Sequence, residues 1–169
     1  LGMAEASLLL KENNNHIAII GDGALTGGMA FKALNNAAIS KSNLLIIVND
    51  NGMSIDENVG GLSEHLYSIN PYQNIFSNLG IGYNGPIDGH DLSGLVEEFS
   101  KDKYQIGVHV IHVKTVKGKG YEPSENGDKT TWHAPGKFDP VTGIRDIKEE
   151  LLPPKYQDVF GETLIELAK

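Results

Sequence analysis

HIAIIGDGALTGGMAFKALNNA, residues 16–37, followed by LLIIVNDNG, residues 44–52, decides how this chain folds. Ile17–Ile20 is a short apolar run stopped by Gly21-Asp22-Gly23, and Leu44–Val48 is a second, ending at Asn49-Asp50-Asn51-Gly52. Runs this short, apolar on both faces and bounded by turn residues, read as buried strands of a parallel sheet. Between them, Gly28–Ile39 carries Met29, Phe31, Leu34 and Ala38 at helical spacing. A strand–helix–strand unit of this kind makes the two strands parallel neighbours.

Outward from this unit the alternation continues. Residues 2–11 predict a helix, with Leu8, Leu9 and Leu10 before the polar break Glu12–Asn15. Asp91 is a candidate N-cap for a helix over Asp91–Lys101, and Ile106–Val113 predicts a third strand. The expected fold class is α/β, a mostly parallel sheet with helices on both faces. From Lys117 to Pro154 the chain is rich in Gly, Pro, Ser, Asn and Asp. Gly118–Asp139 is expected to be a long functional loop, because Tyr121, Trp132 and Phe138 lie within it. Ile144–Pro154 reads as a linker, with Pro153-Pro154 at its end. The expected organisation is one domain over residues 1–143, then residues 144–169 as linker and the start of another. Leu1 opens inside a helical pattern and FGETLIELAK (160–169) reads as a helix in mid-course, so the chain is expected to be a segment of something larger.

Composition narrows the function classes. The chain has 169 residues, 40% of them hydrophobic, which suffices for a core. Fourteen basic residues against 22 acidic ones give a net charge of −8. No basic field exists to release counterions, so neither a nucleic-acid coat nor an anionic-membrane surface is expected as partner. With no cysteine, disulfides, thiolate metal sites and cysteine nucleophiles are excluded within the chain. The apolar runs are too short to span a bilayer.

In an open parallel sheet, ligands bind at the carboxyl ends of the strands. Asp22 follows the first strand and Asn51 the second. If the two strands are neighbours, a carboxylate and a carboxamide oxygen converge, and both are hard ligands suited to Mg²⁺ with phosphate oxygens and water. Gly21 and Gly23 leave room for a phosphate against the backbone, and the helix beginning near Thr26–Gly28 would turn its free N–H groups toward it. Taken alone, Gly-Asp-Gly is a common tight turn and Asn51-Gly52 a hairpin signal. Met53–Gly61 does not alternate as a returning strand would, and the pair together favours a metal–diphosphate site.

GDG followed one strand–helix–strand unit later by Asn is the signature of thiamine-diphosphate enzymes. The fuller strings GDGALTGGMAFKALNNA, NDNGMSIDENVGGL, GPIDGHD, and KGKGYEPSEN leading to WHAPGKFDP narrow it. From Leu1 to about Asp139 the chain resembles the 1-deoxy-D-xylulose-5-phosphate synthase family, transferases related to transketolase. The resemblance implies that Asp22, the Asn51 side chain and the Met53 carbonyl bind Mg²⁺, and that Gly23 and Ala24 offer backbone N–H groups to the diphosphate. It further implies that Tyr121 lines thiamine diphosphate, that Lys117 approaches the diphosphate, and that His133 faces the substrate atoms. The implied reaction decarboxylates pyruvate and joins its two-carbon unit to D-glyceraldehyde 3-phosphate, opening isoprenoid precursor and thiamine biosynthesis. A homodimer is implied, cytoplasmic or, in a plant or parasite, of plastid type. Without the resemblance, His133 reads as a loop histidine and Lys117 as a solvated charge, while His109 and His112 read as structural. The alternatives are another transketolase-type enzyme and a non-catalytic Mg²⁺-nucleotide-binding module.

The chain also departs from the family. Only Gly61–Gly80 joins NVGGL to LGIGYNGP where the family has a long segment, so a shortened or stitched junction is expected near residues 62–78. The family's region before LGMA, with histidine and serine substrate contacts, and its later domain, with the glutamate that activates the cofactor, have no counterpart in these residues.

Overall fold

Among the described residues, four strands form one all-parallel sheet: β1 (His16–Gly21), β2 (Leu44–Asp50), β3 (Gly82–Asp88) and β4 (Val108–Lys114), in the spatial order β1-β2-β4-β3. The computed structural model describes residues 1–103, 105–146 and 153–169. The helices among them are α1 (Gly2–Leu9), α2 (Asp22–Leu25), α3 (Gly28–Ala37), α4 (Gly61–Tyr67), α5 (Ile75–Asn78), α6 (Leu92–Asp102), α7 (Glu122–Asn126), α8 (Lys129–His133) and α9 (Tyr156–Leu167). None is long and apolar enough to cross a membrane.

The register explains why the strand ends matter. Ile20 pairs with Val48 and Gly21 with Asn49, so Asp22 and Asp50-Asn51 leave the sheet side by side. Alternation along β2 sends Leu44, Ile46 and Val48 to one face, where they pack with Leu25, Leu34, Ala37, Leu66, Ile69, Phe76, Ile81 and Val110. Phe76 is fully buried and stacks on Tyr83 with ring centroids 5.7 Å apart. Phe76→Ala removes the largest side chain at the centre of this face. It is expected to cost about 3–5 kcal/mol of stability, read from urea denaturation of this chain; a loss below about 1 kcal/mol would contradict the core position.

The second face carries α6, whose Phe99 lies in a cleft with Leu45 and Ile47. Helices therefore lie on both faces, as expected, but the cover is uneven. Ile17 and Ile19 are 65% and 74% exposed, so β1 is an edge strand open on one side rather than the buried strand its sequence suggests. The two isoleucines line the same cleft as Phe99 yet stay largely exposed.

One further expectation is revised. Gly118–Asp139 is not a continuous loop, since α7 and α8 lie within it and Tyr121 meets Trp132 edge-on at 5.3 Å. The junction near residues 62–78 is occupied by α4 and α5. The Asn74 side chain caps α5, accepting from Phe76 N–H and Ser77 N–H at 3.0 Å each.

By compactness the chain divides into Leu1–Ala134 and Pro135–Lys169. In the second unit Phe138 bridges Arg145, Asp146 N–H donates to the Lys137 carbonyl, and the Asp139 carboxylate accepts from Val141 and Thr142 N–H. Residues 144–146, read as the start of a linker, thus belong to a closed turn. Residues 147–152 of that linker lie outside the described residues.

Candidate functional site

Asp22 begins α2 directly after β1 and is 6% exposed. Its carboxylate accepts from Asn58 Nδ2 at 2.7 Å, and the backbone N–H groups of Gly23 and Asn51 lie near enough to favour its charged form. The two strand-end residues singled out from sequence, Asp22 and Asn51, are therefore in contact. Burial raises the Asp22 carboxyl above the usual carboxylate value; the Asn58 amide opposes that shift, and the nearby Asp50 charge adds to it. A carboxylate has about four acceptor sites, and the Asn58 amide occupies one of them, which leaves capacity for further partners. The Asn51 Oδ1 accepts from Met53 N–H at 2.9 Å, which closes the turn around Gly52 and leaves its second lone pair. Met53 is buried.

Gly23 is where a side chain is excluded, though by the protein itself. A Cβ there would lie 2.9 Å from Asn58 Oδ1 and 3.0 Å from Ser54 Cβ. Ala24, next along α2, is exposed.

Lys117 and His133, sixteen residues apart, also meet. Lys117 Nζ lies 2.9 Å from His133 Nδ1 and donates to the Ser54 carbonyl at 2.6 Å. His133 ends α8, whose N-terminus is capped by the Asp128 carboxylate accepting from Thr130 and Thr131 N–H. Those bonds hold the Asp128 carboxyl below the usual carboxylate value, the Thr131 hydroxyl contributing most. Tyr121 belongs to this second group through its edge contact with Trp132.

Residues 54–58 join the two groups. Ser54 and Asn58 sit against Gly23, Asn58 holds Asp22, the Ser54 carbonyl receives Lys117, and Asp56 accepts from the Thr130 hydroxyl at 2.8 Å. Sequence reasoning gave no role to Ser54, Asp56 or Asn58. The only available signal was the polar string SIDEN itself, which has no helical or strand period. Beside the turn, a cleft of about 660 Å³ is lined by Asp50, Asn51, Met53, Asn58, Tyr67 and Lys114, among others. Below it, buried His112 bonds Asp50 at 2.8 Å and Tyr83 at 2.9 Å.

His16 Nε2 lies 3.1 Å from the Ser7 hydroxyl, and the other three histidines sit against backbone groups. His65 Nε2 accepts from Ile75 N–H, His90 Nε2 accepts from Val116 N–H, and the His109 ring lies against the Ile106 carbonyl.

Comparison with known proteins gives a consistent picture. The sequence profile of the family described as 1-deoxy-D-xylulose-5-phosphate synthase matches residues 1–75 and 67–115. The chain is 45% identical over 213 residues to the 1-deoxy-D-xylulose-5-phosphate synthase of Cytophaga hutchinsonii, covering 100% of this chain and 33% of that protein. It is 42% identical over 211 residues to the enzyme of the same name from Porphyromonas gingivalis, covering 99% of this chain and 33% of that protein. The chain spans about a third of the length of these curated relatives. Among solved structures, a putative thiamin diphosphate-dependent enzyme from Mycobacterium smegmatis superposes with a TM-score of 0.51. That match has 20% identity and covers 68% of this chain and 20% of the other. It supports the α/β fold.

Proposed function

The chain belongs to the 1-deoxy-D-xylulose-5-phosphate synthase family, and we propose that it forms the Mg²⁺–diphosphate half of a thiamine-diphosphate transferase site. One observation carries the reading: the Asp22 carboxylate and the Asn51 turn meet at the ends of adjacent parallel strands, with acceptor capacity left on both. Carboxylate, carboxamide and carbonyl oxygens form a hard donor set suited to Mg²⁺, which keeps several waters and binds phosphate readily. The nearby Asp50 and Asp22 charges repel, and a divalent cation there offsets that repulsion. The residues present therefore fit the group.

In this reading Asp22, Asn51 Oδ1 and the Met53 carbonyl hold Mg²⁺, while Gly23 and Ala24 give N–H groups to the diphosphate. Lys117 supplies a cation on the far side of residues 54–58, and Tyr121 lines the cofactor. His133 handles a proton at the substrate, as an imidazole near neutrality can. Thiamine diphosphate, when bound, supplies the carbon–carbon chemistry that turns pyruvate and D-glyceraldehyde 3-phosphate into 1-deoxy-D-xylulose 5-phosphate and CO₂. The shorter span than the family pattern near residues 62–78, a homodimeric assembly and a cytoplasmic setting belong to the same proposal.

Ligand choice tests it. Calorimetric titration of this chain should give heat for thiamine diphosphate only when Mg²⁺ is present, and neither ATP nor NAD should compete. Competition by ATP at equal concentration, or binding indifferent to Mg²⁺, would replace the reading with a nucleotide-binding module.

A further inference from the structure

We propose that His112 is a positioning residue for the Asn51–Met53 turn, acting through Asp50 and oriented by Tyr83. The inference rests on the reading of that turn as part of the cation–diphosphate site. His112 lies on β4, is 0% exposed, and pairs in register with Val48 of β2. Its Nδ1 is 2.9 Å from the Tyr83 hydroxyl of β3, and its Nε2 is 2.8 Å from Asp50 Oδ2. The Asp50 carboxylate only accepts, so Nε2 carries a ring proton and donates to it. With the proton on Nε2, Nδ1 accepts from the Tyr83 hydroxyl, whose proton burial and the Asp50 charge help retain.

Asp50 passes the constraint onward. Its Oδ1 accepts from Gly52 N–H at 3.2 Å, and its backbone carbonyl accepts from Thr115 N–H at 2.8 Å. Gly52 has φ +70°, a conformation that favours glycine, and its carbonyl accepts from Asn58 N–H at 2.9 Å. The Asn58 side chain in turn donates to Asp22. A continuous hydrogen-bonded path thus runs from Tyr83 through His112, Asp50, Gly52 and Asn58 to Asp22. A buried polar pair can often be replaced by apolar residues without loss of stability. An apolar replacement would not anchor the Gly52 N–H where the chain leaves the sheet, and that anchoring is the function inferred for the pair.

Two substitutions separate the contacts of the ring. His112→Gln extends an amide to about the position of Nε2, within reach of Asp50, whereas His112→Asn stops near Nδ1, within reach of Tyr83 only. The probe is Mn²⁺ with thiamine diphosphate on the full 169-residue chain, its affinity read by electron paramagnetic resonance. Amide exchange is followed in parallel on metal-free protein. His112→Gln should stay within about threefold of wild type, and His112→Asn should lose roughly tenfold or more, as expected for one hydrogen bond to a charged group. Gly52 and Met53 amides should exchange faster in His112→Asn, while Val48 and Val110 do not change. Equal Mn²⁺ affinities for the two variants, or exchange quickened uniformly along β2 and β4, would overturn the assignment. If His112→Asn does not fold, Tyr83→Phe takes its place. It should weaken Mn²⁺ binding about threefold through loss of a neutral hydrogen bond and loosen Gly52, and wild-type values for both would overturn the proposal. A wild-type chain that ignores Mn²⁺ would instead overturn the cation reading, and the exchange measurement would still judge His112.

Discussion

Asp22→Ala is expected to weaken Mg²⁺-dependent binding of thiamine diphosphate by about a hundredfold or more while leaving the sheet folded. Removing even an outer partner of a metal ligand costs roughly 10–100-fold in affinity, and Asp22 is the only charged member of the proposed ligand set. The folded chain tolerates the loss because the carboxylate is not a net gift to stability. Burial raises it above its usual value, and the Asp50 charge adds to that, against the Asn58 hydrogen bond and the nearby Gly23 and Asn51 N–H groups. Deletion relieves the first two effects and leaves three donors to water, so the opposing changes largely cancel. Calorimetric titration with and without Mg²⁺, paired with thermal unfolding in a chelator, separates binding from folding. Affinity unchanged from wild type would remove Asp22 from the metal. Asn51→Ala should act in the same direction more weakly, since water can replace a neutral amide oxygen in the Mg²⁺ shell.

What could be read from the chain follows from which signals are local. β1, β2 and β4 are apolar runs bounded by turn residues, and their places were legible. β3 was not, because GYNGPID offers two glycines, a proline and an aspartate, residues poor in intrinsic strand preference. It is a strand because β4 presents an unpaired edge to it, and an edge position is where proline is tolerated. The open face of β1 was misjudged for the converse reason: Ile17 and Ile19 are apolar, but nothing local tells what covers them. At the site, Asp22 and Asn51 stand out as polar groups at the ends of apolar runs, and the register brings them together. Asn58 reaches Asp22 from 36 residues away, and His112 reaches Asp50 across 62. Neither distance leaves a period in the sequence. His112 lies inside the continuous buried run Val110–Val113 of β4, so reading it as structural was the natural inference from pattern alone.

His133→Ala is expected to lower the turnover of the assembled synthase about a hundredfold or more, the usual range for a proton-transferring side chain being roughly 10²–10⁴. Thiamine diphosphate affinity should move by less than about threefold, because an interaction made only as the reaction proceeds leaves ground-state binding alone. The geometry motivates the split. His133 is exposed at the end of α8, beyond the Asp22–Asn51 group, and its Nδ1 faces the Lys117 ammonium at 2.9 Å. An ammonium is only a donor, so Nδ1 must accept and the neutral ring carries its proton on Nε2. Lys117 therefore fixes the tautomer and sets Nε2–H as the donor the ring can offer to a substrate oxygen, and it is itself held by the Ser54 carbonyl. Lys117→Met frees the ring to take either tautomer. It should lower turnover by less than His133→Ala, and it should also weaken cofactor binding, since the proposed diphosphate position loses a nearby cation. Steady-state kinetics on both variants, with cofactor dissociation constants measured separately, distinguish the two roles. A His133→Ala enzyme that lost cofactor affinity yet turned over normally at saturation would make the histidine a binding group, and the proton assignment would then pass to another residue.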